Sequence, residues 1–195
     1  MDTELAELVA RIRVLEEEVE KKLEERRASF QYSIDHHRIV FEESVRQQHR
    51  RLKVGLLSFL RHSPALYILS APAVYALILP IVLLDLCVSI FQIICFPLWG
   101  VPKASRSDYV VIDRHYLAYL NGVQKLNCIY CSYANGVIAF TTEIAGRTEH
   151  FWCPIKHARK VHNPHRYYEG FLDYGDGVDY EEKLRKQRQD IVRKK

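Results

Sequence analysis

Hydrophobic positions along the chain change spacing several times, and each change marks a different kind of element. Leu5, Leu8, Ile12, Leu15 and Val19 recur at alternating steps of three and four among glutamates and arginines, the seam of a coiled-coil helix. Lys22 and Arg26 break that seam. It resumes at Phe30, Ile34, Phe41, Val45 and Leu52 after an eleven-residue step, which loosens any supercoil. No proline falls between Thr3 and Leu60, so residues 1–62 are expected to form a helical stalk. The stripe serves either self-association and docking to a partner helix, or the core of two helices folded on themselves. His36, His37 and His49 are expected on solvated helix faces.

From Arg46 the pattern becomes basic and apolar together. Arg50, Arg51, Lys53 and Arg61 alternate with Val54, Leu56, Leu57, Phe59 and Leu60, as in a helix approaching a lipid surface. The 35 residues Ala65–Trp99 then carry one formal charge, Asp85. An unbroken helix of that length runs about 52 Å, beyond a hydrocarbon core of about 30 Å, whereas two full spans need roughly 40 residues. Pro72, Pro80 and Pro97 interrupt it, and Asp85 costs roughly 2.5 to 3.5 kcal/mol at a bilayer centre. Three arrangements fit: a tilted, kinked span, a re-entrant hairpin bent near Pro80 to Asp85, and a buried core hairpin. Basic residues precede the segment and Lys103 and Arg106 follow it, so both ends read as cytosolic. A hairpin over residues 63–102 satisfies both, with Tyr67, Tyr75 and Trp99 as interfacial anchors.

Beyond it, residues 103–177 read as a small tyrosine-rich helical module, and 178–195 as a basic helical tail. Arg114 to Leu120 is expected to be a short helix stopped by Asn121 and Gly122. Ala134 to Arg147 has helical spacing interrupted at Gly136, and Cys153 and Pro154 are expected to open another short helix. The predicted class is mainly α: a long N-terminal helix or coiled coil, a membrane-embedded hairpin and a small α-rich module.

Charge and cysteine usage sharpen this picture. The formal net charge of +4 is small, and no basic face is interleaved with aromatics, which argues against nucleic acid as a partner and for an anionic membrane surface. The first residues are charged and helical, not a short apolar leader, so the N-terminus is expected in the cytosol, where thiols stay reduced. Of the five cysteines, Cys87 and Cys95 lie in the apolar run and read as packing residues.

The other three form the one chemical pattern in the chain. Cys128 and Cys131 make C-x2-C, and Cys153 and His157 make C-x3-H after 21 intervening residues. Three thiolates and an imidazole suit a closed tetrahedral zinc site that contributes folding energy, with an iron–sulfur centre as the alternative occupant. Reduced cysteines in a tyrosine-lined core, and a C-x2-C redox dithiol, are the competing readings. Glu149, His150 and Lys156 are candidates to support such a cluster from outside its ligand set. No nucleophile elbow, phosphate-cradling glycine loop or dinucleotide fingerprint occurs, so no reaction is indicated.

The runs L-N-C-I-Y-C-S-Y-A-N-G, E-I-A-G-R-T-E, W-C-P-I-K-H-A and F-L-D-Y-G-D resemble a family of uncharacterised bacterial membrane-associated proteins over the second half of the chain. That resemblance implies a bacterial source and a shared module. The C-x3-H half is also similar in spacing to CDGSH iron–sulfur proteins, from which the C-x2-C pair and the long gap depart. The expectation is a zinc-stabilised scaffold or assembly protein, attached to the bacterial inner membrane with its soluble parts facing the cytoplasm. It would meet lipid and either further copies of itself or a partner membrane protein. The alternative is an electron-transfer protein using an iron–sulfur centre or the dithiol.

Overall fold

The computed structural model describes residues 3–28, 32–35, 38–41 and 43–193 and is mainly helical. Helix α1 spans Thr3–Ala28, as the heptad spacing predicts. Its seam residues Leu8, Ile12, Leu15 and Val19 are each at least 50% exposed, so this stripe is not buried in a bundle of the same chain.

The second half of the expected stalk is not a continuous helix. Tyr32–Asp35 (β1) pairs antiparallel with Arg38–Phe41 (β2), Asp35 opposite Arg38, before α2 at Glu43–Arg51. Tyr32, Ile34, Ile39, Val40 and Phe41 are β-branched or aromatic, which suits a pleated ribbon and competes with the helical stripe. Phe30, His36 and His37 lie outside the described residues. His49 is not simply solvated: its ring sits between Phe41, at 5.3 Å, and Tyr119, at 5.1 Å.

Helix α3 is Leu56–His62, and α4 (Ala65–Ala76) and α5 (Ile78–Trp99) form the apolar rod. The expected hairpin is corrected here. Residues 80–85 lie inside α5, and Leu77, which joins the two helices, keeps helical angles (φ −64°, ψ −13°), so the chain bends without reversing. Pro80 explains the bend, because it has no N–H to offer the Ala76 carbonyl. Gly100, at φ +72°, ends α5 with its N–H on Phe96 and Pro97 oxygens.

Helix α6 (Gly122–Trp152, 31 residues) runs parallel to the rod. Its start meets α4 through Tyr130 and Tyr75, with ring centroids 5.6 Å apart, and its end meets α5 where Phe151 stacks on Trp99 at 5.6 Å. Parallel neighbours need a long return connection, and residues 101–121 supply it as a strap of irregular backbone lying back along both helices. Gly136 makes room for the strap: a Cβ there falls 2.8 Å from the Tyr109 carbonyl oxygen and from Val110 Cα. The Asn-Gly pair read as a helix stop is a helix start. Asn121 Oδ1 accepts from Gln124 N–H and Gln124 Oε1 accepts from Asn121 N–H, a reciprocal capping box.

The core gathers at the far end of the rod. Phe96, Val101, Ala104, Phe140, Ile144 and Ile191 are buried together. Helix α7 (Tyr180–Arg193) belongs to it, since Leu184 and Ile191 are buried and Arg188 Nε donates to the Phe151 carbonyl at 2.9 Å. The expected basic tail is therefore a docked helix over these residues.

Candidate functional site

The four expected metal ligands are not brought together. Cys128 and Cys131 lie in the first third of α6, and Cys153 caps the C-terminal end of the same helix. Twenty-two residues of helical rise separate Cys131 from Cys153 by about 33 Å, whereas ligands of one zinc ion sit a few ångströms apart. His157 lies in an irregular segment beyond Cys153, its backbone N–H bonded to the Tyr168 hydroxyl at 2.8 Å. Among the described residues no group of three or more histidine, cysteine, aspartate or glutamate side chains converges on a metal position. Cys153 also occupies a helix C-terminus, not the predicted N-terminus. Desolvation and the Glu149 carboxylate push its thiol pKa up.

The residues expected to support that cluster have other partners. Glu149 takes His165 Nε2 at 2.7 Å. His150 is buried against α7, with Nε2 3.1 Å from the Gln187 carbonyl. Lys156 Nζ donates to Asp173 at 3.0 Å.

The apolar rod, Ala65–Trp99 taken together, is long and apolar enough to cross a membrane, and only 11% of its most apolar window is buried. Its outward face is apolar, unlike that of a soluble helix, and its inward face mixes polar side chains with Phe96, Val88 and Phe91. Asp85 and Gln92 point inward and are buried, while Val82, Leu83, Leu86, Ile90, Ile93, Ile94 and Leu98 point outward, Leu83 at 60% exposure. Tyr67 is exposed near one end of the rod. Trp99 closes the other against Phe91, Phe151 and Trp152. Tyr75 is committed to the α4–α6 contact, its hydroxyl bonded to Asn127, and so is not a free interfacial anchor. Arg50, Arg51, Lys53 and Arg61 are exposed before the rod begins.

Two ion-paired centres hold the strap and the C-terminal segment, and neither was among the expected site residues. At the first, Arg106 grips Asp85 with both donors, Nε to Oδ1 at 3.0 Å and Nη2 to Oδ2 at 2.7 Å, and Tyr133 hydroxyl donates to Oδ2 at 2.9 Å. Gln92 reinforces this by bonding both the N–H and the carbonyl of Ala104. Arg114 reaches Ser132 from further along the strap.

The second centre is Glu143, 4% exposed. Its Oε1 accepts from Arg147 Nε at 2.7 Å, from Tyr167 hydroxyl at 2.6 Å and from Arg166 Nη2. Burial raises the carboxyl's pKa, but the bonds from Tyr167, Arg147 and Arg166 outweigh it and hold the group below its ordinary value. Gly146 lets this segment close: a Cβ there falls 2.8 Å from the His165 ring. One sequence signal for each centre existed. A lone acid in an apolar run needs a cation, and Arg106 is among the first cations after it; Glu143 and Arg147 are spaced i, i+4.

Compared with protein-family models, with curated proteins and with solved structures, the chain finds no match.

Proposed function

We propose that this is a membrane-attached scaffold protein whose α4–α5 rod is seated in the lipid interface and whose remaining surface presents docking elements to partners. The observation that carries it is the outward face of α5, a row of exposed apolar side chains from Val82 to Leu98, while the side chains of Asp85 and Gln92 are turned inward beside Phe96. Water is a poor solvent for a continuous apolar face of this length. A bilayer is a good one.

The strap favours a rod lying along the membrane over one crossing it. Residues 101–121 return along α5 with irregular backbone, and Arg106, Asp108 and Arg114 are exposed upon it. In a crossing orientation those charges and unpaired backbone groups meet hydrocarbon, where each is costly. In the plane of the interface the apolar row faces lipid while the strap and its charges face water, as in monotopic proteins. The cations of α2 and α3 add attraction to anionic headgroups. The five free thiols suit a reducing side of that membrane, the bacterial cytoplasm on the resemblance above. The exposed seam of α1 supports a helical partner, a second copy being the simplest.

Vesicle sedimentation of the full chain tests this. The wild type is expected to bind vesicles, and Leu83→Glu with Ile90→Glu, both on the outward row, to abolish binding while the helical circular dichroism is kept. A double variant that binds as the wild type does, or a wild type that leaves vesicles untouched and assembles through this row instead, contradicts the lipid reading.

A further inference from the structure

A cavity of about 290 Å³ opens beside the Glu143 centre, lined by Pro102, Arg147, Arg166, Tyr167 and Ile191. Two of these five residues carry guanidinium groups. The carboxylate that pairs with both, Glu143, does not line the cavity and is buried behind it. Two positive charges therefore face one negative charge across the centre, and the surplus is on the cavity side.

The hydrogen bonds make the surplus usable. Arg147 spends Nε on Glu143 and Nη1 on the Pro102 carbonyl, and Arg166 spends Nη2 on Glu143 and on the Tyr167 hydroxyl. Among the described residues, Arg147 Nη2 and Arg166 Nε and Nη1 meet no acceptor. Glu143 thus holds both side chains, and Arg147 Nη2 with Arg166 Nε and Nη1 is left to donate. Fixed guanidinium forks approaching from two elements suit an acceptor with several oxygens arranged in three dimensions, and a phosphate or sulfate has that shape. The apolar walls, Pro102 and Ile191, supply no competing acceptor side chain.

We propose that this cavity is a binding site for a tetrahedral oxyanion, either free inorganic phosphate or the phosphate of a lipid headgroup. Pro102 lies three residues beyond Trp99, where the apolar rod ends, so lipid phosphate is within reach when the rod is seated in a bilayer. The free-anion form does not depend on membrane attachment.

The test uses the full chain in nonionic detergent, titrated with inorganic phosphate by calorimetry. It is repeated by sedimentation with phosphatidylcholine vesicles, with and without phosphatidic acid. Arg166 is 63% exposed along its side chain, and Arg147 and Tyr167 still bond Glu143 when it is replaced. Phosphate is expected to bind with Kd near or below about 1 mM, and Arg166→Gln to weaken it about tenfold. Arg166→Lys, which keeps the charge, retains more affinity than Arg166→Gln. Lys160→Gln, which removes the same charge from an exposed loop, changes nothing. A gain from phosphatidic acid that Arg166→Gln abolishes identifies the lipid headgroup as the source. Phosphate binding without that gain identifies the free anion. Phosphate binding with no vesicle binding at all counts against membrane attachment and leaves this site standing. A wild type that binds neither ligand, or an Arg166→Gln protein that binds both as tightly as wild type, overturns the proposal.

Discussion

Asp85 and Arg106 meet fork to fork across 21 positions of sequence, at 3.0 and 2.7 Å, and so fasten the returning strap to the middle of the apolar rod. Asp85 is 9% exposed, while the Arg106 side chain is 45% exposed, so the pair is screened by water on one side only. Arg106→Gln leaves the carboxylate without its cation and is expected to lower stability by about 1 to 3 kcal/mol, discounted from the loss at a fully buried pair. Replacing both partners by leucine is expected to restore most of that loss, because no charge remains to be desolvated. Denaturant unfolding of the single and double variants measures both, and equal losses in the two would assign the effect to packing instead.

Gly136 sits where α6 and the strap touch backbone to backbone. A methyl group there collides at 2.8 Å with the Tyr109 oxygen and Val110 Cα, both backbone atoms that cannot swing aside. Gly136→Ala is expected to destabilise the protein by about 1 to 3 kcal/mol despite alanine's better helix propensity. Gly122→Ala, where nothing lies within 4 Å, is the control and is expected to change little. Thermal melts of the two variants compare them directly.

Glu143 gives stability a pH dependence of known sign. Its folded pKa lies below the ordinary value of 4.5, so its contribution is complete above that value and is lost as pH falls through the folded pKa. The melting temperature is expected to drop on acidification below about pH 4.5, and Glu143→Gln to start lower at neutral pH and lose part of that drop. Melts between pH 7 and 3 show whether the variant's curve is flatter. Parallel curves would place the acid sensitivity elsewhere.

Cysteine chemistry separates the sequence reading from the structural one most cleanly. With Cys131 and Cys153 about 33 Å apart on one helix, chelator treatment is expected to leave the melting temperature unchanged. Cys153→Ser, at an exposed position, is expected to cost less than about 1 kcal/mol. A chelator-induced fall of several degrees, reversed by zinc, would restore the metal staple.

Much of the helical content was legible from local pattern. The heptads of α1, the apolar run of α4 and α5 and the helical spacing around Phe140 each announced an element, the first and last by a periodic stripe and the apolar run by its length and near lack of charge. What failed was wherever a tertiary contact decides between two local readings. Asn121-Gly122 signals a helix stop or a helix start, and the Gln124 side chain selects the start. Gly136 and Gly146 look like interruptions of a helix, yet they are the places where α6 admits the strap and the His165 segment. C-x2-C and C-x3-H look like two halves of one site only while the 21 residues between them are left free to fold back. Once Gly122–Trp152 is a single helix, those residues become a rigid spacer. Which face of α5 turns outward was hidden for a different reason: a run that is apolar nearly all round does not say which side its neighbours take.

Depth in the bilayer along the rod tests the central claim most directly. Spin labels at Leu69, Leu83 and Leu98, read in vesicles by relative accessibility to oxygen and to a water-soluble nickel complex, report depth at both ends and the middle. A rod lying in the interface predicts one shallow depth, about 5 to 10 Å below the headgroups, at all three, with a label at Ser107 on the strap in water. A depth greatest at Leu83 and falling toward both ends would show a crossing helix, and water accessibility at all three would show that this face meets no lipid.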